Sequence, residues 1–309
     1  MTLSERLLRT LLLSALLTVG IGGVLHAQAD DEPLPLRALP HEDRTRSYLL
    51  HIPQSYTDDA PAPLVLVFHG SGGNADDMVT ATEFRDLAND TGTIVVYPNA
   101  VNGRWDYLDV PIDRGGTVVD DVGFVALLID ELAESYNIDD NRIYTVGYSN
   151  GALMAFRARC TLDDRIAATG LVGMSITTQL AQGCVGSAPV ATVWAIGTND
   201  PVFPLNGYAE IENDILYSAF SHTMTFSYLT TLNNCDLTTG RFEEITGAES
   251  PHRVVVQEPA GCPDDDLVRF YAIAEAGHVW PRAIIELDDS DVDTIPADMW
   301  AFLHARSRD

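Results

Sequence analysis

The pentapeptide Gly147-Tyr148-Ser149-Asn150-Gly151 sits between two segments of opposite character. Before it runs Arg142-Ile143-Tyr144-Thr145-Val146, apolar and partly β-branched. After it runs Ala152 to Arg159, made of good helix formers. The pentapeptide therefore reads as the tight turn between a buried strand and a helix, the setting in which Gly-x-Ser-x-Gly becomes a nucleophile elbow. There the serine takes a strained backbone position, and the glycines let strand and helix approach where a Cβ would clash. The hydroxyl stands clear of the sheet near a helix N-terminus, which favours developing negative charge. The pattern by itself fits an ordinary strand-to-helix turn equally well, so a base, an acid and an oxyanion hole must come from elsewhere in the chain.

Strand-like segments recur on both sides of it. Arg46–Pro53, Leu64–Phe68, Thr93–Tyr97, Ile166–Met174, Val190–Ile196, Arg253–Gln257 and Leu267–Ala274 read as strands. Helices are expected over Ala75–Asn89, from an N-cap at Asp121 to Tyr136, over Tyr217–Leu232 and over Ile295–His304. Strands and helices alternate, which predicts an α/β fold with a mostly parallel sheet and helices on both faces. No internal repeat, low-complexity tract or interdomain linker interrupts the pattern.

The 309 residues suit one large α/β domain or two small ones. Net charge is −27, from 45 acidic against 18 basic residues, and every basic residue is arginine. The absence of lysine excludes P-loop and Schiff-base chemistry, and the negative charge disfavours nucleic acid and anionic membranes as partners. Solubility in a cold or salty medium accounts for the charge more simply than an acid-specific partner.

Arg6 and Arg9, the uncharged run Leu11–Leu25 and the small-x-small Ala27-Gln28-Ala29 read as a secretory signal peptide over residues 1–29. The run is short for a membrane span, so no membrane association is expected after cleavage and the mature chain is expected outside the cytoplasm, secreted or periplasmic. An uncleaved anchor is the alternative. Residues 30–43 read as a flexible Pro-rich lead-in, and 44–309 as the catalytic domain, with no further domain expected behind it.

Cys160, Cys184, Cys235 and Cys262 form an even set in an exported chain, which implies disulfides. Three pairings are possible, and sequence neighbours are the simplest. A metal site is the rival, but no CxxC or HxxxH spacing supports it.

Three further loops carry chemistry. His69-Gly70-Ser71-Gly72-Gly73 follows a buried strand at once, and its glycines would let a backbone N–H reach a substrate carbonyl. Asp200 follows another strand in a loop pinned by Pro201, and His278 stands between Gly277 and Val279-Trp280-Pro281. Ser149, Asp200 and His278 fall in the chain order of the α/β-hydrolases. Expected roles are Ser149 as nucleophile, His278 as base, Asp200 as its orienting acid, and the backbone N–H groups of Ser71 and Asn150 as oxyanion hole. His69 is expected to brace that loop, the other histidines of the exported part to be surface or structural, and Glu212 and Asp214 are weaker rivals to Asp200. Trp105, Tyr148 and Trp280 are candidate substrate-binding residues, although Trp105 could equally anchor its own loop, Asn99–Gly116.

Pro63 to Gly73, Gly147 to Gly151, Gly197-Thr198-Asn199-Asp200-Pro201 and Gly277 to Pro281 together resemble the secreted polyhydroxybutyrate depolymerase and feruloyl esterase group of α/β-hydrolases, close to carbohydrate esterase family one. Tyr97-Pro98 and Asp121-Val122-Gly123-Phe124 also look like that group, and the likeness spans residues 44 to 305. It implies the same triad and neighbour pairing of the cysteines; separately, no metal or cofactor is expected. It implies an ester as partner: a feruloyl or acetyl group on plant polysaccharide, or else an oligomer of a hydroxyalkanoate. A serine peptidase on the same fold and a non-catalytic binding protein are the distant alternatives. Ile196, Ala152 and Val279 depart from the group, where His, Gly and Thr are frequent; none removes a catalytic group.

Overall fold

The computed structural model describes residues 32–108, 118–212, 215–245, 253–263, 267–281 and 294–308; the expected signal peptide lies outside them. The described chain opens with β1 (Leu36–His41) and β2 (Arg44–His51), then β3 (Ala62–Phe68), α1 (Ala75–Ala81), α2 (Phe84–Thr91) and β4 (Ile94–Pro98). Next come α3 (Asp121–Ser135), β5 (Ile138–Tyr148), α4 (Asn150–Thr161), β6 (Ala168–Val172), α5 (Thr178–Gly183) and β7 (Ala191–Gly197). A hairpin of β8 (Tyr208–Glu212) and β9 (Ile215–Ala219) leads to α6 (His222–Leu232), followed by β10 (Asp236–Ile245), β11 (Val254–Ala260), β12 (Val268–Ile273) and α7 (Ile295–His304).

Ten strands form one sheet in the order β1-β2-β4-β3-β5-β6-β7-β12-β11-β10. The middle six, β4 to β12 in that order, are parallel, and an antiparallel pair flanks each end. β3, β4, β6 and β7 are buried along their whole length because both of their faces are covered. β3 shows the division. Leu64, Leu66 and Phe68 face one way, into a core completed by Phe124 and Leu128 of α3, α4, and Phe226 of α6. Val65 and Val67 face the other, against Met78, Phe84, Met299 and Trp300 of α1, α2 and α7.

Several expectations are corrected. Residues 36–41 are not a loose lead-in: they form edge strand β1, an edge being where Pro40 is tolerated. The helix expected over Ala75–Asn89 is two, because Thr82 turns extended while its N–H and hydroxyl both donate back to the Met78 carbonyl. The cap of α3 is Asp120, which accepts from the Gly123 N–H, and Asp121 is instead buried against Arg46. The helix expected from Tyr217 starts at His222, since Ile215–Ala219 pairs with Tyr208–Glu212. That pairing also places Glu212 in a hairpin; Asp214 lies outside the described residues. The disulfides are Cys160–Cys184 and Cys235–Cys262, the neighbour pairing.

Candidate active site

The C-terminal ends of parallel strands β3, β5, β6, β7 and β12 lie along one rim of the sheet, where open α/β sheets bind ligands. Each feeds one piece of the site.

Behind β5 stands Ser149, with φ 55° and ψ −119°. A non-glycine residue there stores about 1–3 kcal/mol of strain. Its neighbours explain why the turn holds. A Cβ on Gly147 would lie 2.1 Å from the Gly151 carbonyl oxygen, and one on Gly151 would lie 2.2 Å from that of Phe68. Both glycines are thus required by backbone packing, one against the start of α4 and one against the end of β3. The Ser149 N–H donates to the Val172 carbonyl at 2.8 Å, which carries the β5–β6 ladder into the elbow. α4 then runs through the interior, with ten of its twelve residues buried.

Ser149, His278 and Asp200 are brought into one line. His278 Nδ1 lies 2.7 Å from Asp200 Oδ2, and Nε2 lies 2.8 Å from Ser149 Oγ. A carboxylate only accepts, so Nδ1 carries the proton and Nε2 is left to accept from the serine hydroxyl. The Asp200 carboxyl is wholly buried, and its other oxygen accepts from the N–H groups of Val202 and Phe203 at 2.8 and 2.9 Å. Burial alone would push its pKa up; the bonds from His278, Phe203 and Val202 outweigh this and hold the carboxyl below the usual aspartate range. The loops bearing Asp200 and His278 are adjacent because β7 and β12 pair, and they are sewn together directly. Asn199 N–H donates to the Ala276 carbonyl at 2.9 Å, and Glu275 N–H donates to Thr198 Oγ1 at 2.9 Å.

After β3, Gly70 lies against the Ser149 turn: a Cβ there would meet Tyr148 at 3.1 Å and Ser149 at 3.4 Å. The N–H groups of Ser71 and Asn150 donate to no other described residue. His69 is buried and braces this loop. Its Nδ1–H donates to the Gly70 carbonyl at 2.8 Å, and its Nε2 accepts the Ala100 N–H at 3.1 Å, while burial lowers its pKa. Both nitrogens are occupied by backbone, so it is no rival base.

Trp105 is 1% exposed and presents no surface to a substrate. Its indole N–H donates to the His69 carbonyl at 2.9 Å, and its ring stands edge-on to Phe68. The Asn150 side chain brackets its backbone, accepting from the Trp105 N–H at 2.7 Å and donating to the carbonyl at 3.2 Å. The tryptophan anchors its own loop and is not a substrate contact. Tyr148 and Trp280 do flank the site. The Tyr148 hydroxyl donates to the His278 carbonyl at 2.8 Å, and Trp280 packs edge-on against Phe84 and Tyr148.

Gly173, inside the run Ile166–Met174 expected as strand, also borders the site. It has φ +62°, and a Cβ there would meet Tyr148 at 3.1 Å and His278 at 3.4 Å. Its signal was a lone glycine directly after β6, and that strand lies between the strands of Ser149 and Asp200.

Residues 46–202, half of the chain, match the family described as Esterase PHB depolymerase. The match includes Ser149 and Asp200; His278 lies beyond it. NocK of Nocardia uniformis subsp. tsuyamanensis is 30% identical over 177 residues, 55% of this chain and 50% of that protein. Feruloyl esterase C of Emericella nidulans is 26% identical over 174 residues, 54% of this chain and 60% of the relative. The chain thus spans about half to three fifths of the length of these relatives. Among solved structures, an acetyl xylan esterase from Aspergillus awamori superposes with a TM-score of 0.59 at 16% identity, over 87% of this chain and 99% of that one. At that identity the likeness speaks for the fold, which is that of the α/β-hydrolases.

Proposed function

Because this chain belongs to the Esterase PHB depolymerase family, we propose that it is an exported carboxylic-ester hydrolase working through an acyl-enzyme on Ser149. His278 Nε2 takes the hydroxyl proton as Ser149 Oγ attacks the ester carbonyl, and returns it to the departing alcohol. Water then repeats the exchange and frees the acid. Asp200 keeps the imidazole in the required tautomer and stabilises the imidazolium. The N–H groups of Ser71 and Asn150 receive the oxyanion, each worth about 2.7–4 kcal/mol in the transition state of comparable sites. The observation that carries the reading is the contact line of 2.8 and 2.7 Å from Ser149 through His278 to Asp200.

The preferred substrate is an aromatic or short acyl ester of plant polysaccharide, with Tyr148 and Trp280 as candidate contacts. The names of relatives such as feruloyl esterase C favour it. The second reading, an oligomer of a 3-hydroxyalkanoate, is favoured by the description of the matched family. Turnover of methyl ferulate and of a 3-hydroxybutyrate oligomer, each against Ser149→Ala, separates the two. Cleavage of neither above that blank overturns both substrate assignments, and a fluorophosphonate that leaves Ser149 unlabelled overturns the nucleophile.

A further inference from the structure

The loop from Asp200 to Gly207 crosses the rim between β7 and the β8–β9 hairpin. Its residues hold the acid: Phe203 N–H donates to Asp200 Oδ1 at 2.9 Å, beside Val202 N–H at 2.8 Å. Something must hold Phe203 in turn, and that is a residue 19 positions on. His222 opens α6 and is 2% exposed. Its Nε2 lies 3.0 Å from the Phe203 carbonyl oxygen, and its backbone N–H donates to the Leu205 carbonyl at 3.0 Å. The backbone donor is one of those that a helix leaves free in its first turn. A carbonyl only accepts, so Nε2 carries the proton. Nδ1 is buried with no partner among the described residues, and the ring stands edge-on to Trp194. Burial keeps the imidazole neutral, so the tautomer is fixed by the Phe203 bond alone.

The geometry points to His222 as a positioning residue for Asp200: it grips the Phe203 carbonyl from behind while Asp200 grips the Phe203 N–H from the front. This assignment rests on the reading of Asp200 as the acid of the triad. The contacts run His222, Phe203, Asp200, His278, Ser149, each at 3.0 Å or less. His222 never meets substrate. It keeps Phe203, and through it the carboxylate, from drifting, and drift of the carboxylate would rotate the base away from the serine.

Three variants test it. Glutamine places its amide nitrogen where Nε2 stands, asparagine reaches only to the Nδ1 position, and phenylalanine fills the volume without a donor. His222→Gln is expected to keep kcat within about threefold of the parent. His222→Asn and His222→Phe are expected to lose roughly 10- to 100-fold in kcat, the scale of a small misplacement in a preorganised site, with KM within about twofold. The downfield proton resonance of His278 Nδ1 should persist in the glutamine variant and shift or broaden in the other two. If His222→Phe does not fold, the contrast between Gln and Asn decides. Equal kcat in all folded variants, or equal losses in Gln and Asn, overturns the assignment. Failure of the triad reading looks different: Ser149→Ala would then stay active, whatever stands at 222.

Discussion

Gly197 lies so close beneath Ala276 that a Cβ on it would sit 2.2 Å from the Ala276 carbonyl oxygen. Nothing there can yield cheaply, because the next atom met, at 2.5 Å, is again Ala276 backbone and the Gly277 carbonyl oxygen follows at 2.6 Å. The Asp200 loop and the His278 loop therefore share one fitted seam. Gly197→Ala must push the His278 loop off its seat. Expected are a fall in kcat of about 100-fold or more and a loss of about 1–3 kcal/mol in stability from overpacking. Ester turnover and urea unfolding measure the two, and an unchanged kcat would mean that the seam does not position His278.

Asn150 serves two masters. Its backbone N–H is assigned to the oxyanion, while its side chain holds the Trp105 backbone from both sides. Asn150→Ala keeps the first and removes the second, leaving a buried N–H without an acceptor. A loss of about 1–3 kcal/mol follows from that orphaned donor. Thermal unfolding checks it; a melting temperature equal to the parent's would show that water takes over the donor.

Arg46 and Asp121 form an ion pair at 2.5 Å, 2% and 0% exposed, and the guanidinium also lies 3.9 Å over the Phe124 ring. Asp121 further accepts the Asp106 N–H at 2.6 Å, so the pair ties the Trp105 loop to β2 and α3. Burial opposes both charges, and each is tolerable only beside the other. Asp121→Leu alone should cost about 3–5 kcal/mol by stranding Arg46, and the double change with Arg46→Met clearly less than the sum of the singles. Denaturant midpoints of the four proteins close this cycle. Additive losses would refute the coupling.

Acid should destabilise the protein in two stages. Burial holds the imidazoles of His69, His222 and His304 below the ordinary histidine range. Between those lowered values and about pH 6.5 the unfolded chain binds more protons than the folded one, so stability falls as pH drops below about 6.5. Asp200 adds the second stage. Its native pKa is depressed, so its contribution is present above about pH 4 and is lost as pH falls toward the native value. Urea midpoints from pH 7.5 to 5.5 test the first stage; a flat line there would contradict it.

A net charge of −27 implies self-repulsion that salt screens. The melting temperature is expected to rise between about 0.05 and 1 M NaCl, over which the screening length shrinks several-fold. A falling melting temperature would assign the acidic residues to specific ion pairs instead.

The parts of the fold that could be read in advance share a physical cause. Strands buried on both faces, such as Leu64–Phe68 and Val190–Ile196, leave unbroken apolar runs in the sequence, and the reactive loops after them are punctuated by Gly and Pro. The edges left no such trace. β1 carries Pro40, β10 includes Gly240 and an exposed Phe242, and β8 mixes apolar with acidic residues just ahead of the helix expected from Tyr217. Trp105 was ambiguous because an aromatic residue in a polar loop looks alike whether it faces solvent or core. His222 had no local signal at all: its partners, Phe203 and Leu205, come from a different loop, and only the packing of α6 under that loop brings them together.

The order of strands in the sheet is also an order in time. A chain is made from its N-terminus, and β1 to β7 occupy seven adjacent places in the sheet before β12 is available. A nascent chain can thus complete the elbow, the loop after β3 and the Asp200 loop while His278 does not yet exist. β12 then adds beside β7 and brings His278 last. On the proposed triad, Ser149 would until then lack a partner to take its proton, and a chain cut short before the histidine loop would be chemically silent. On the proposed triad, ester cleavage would therefore report that synthesis has passed the histidine loop.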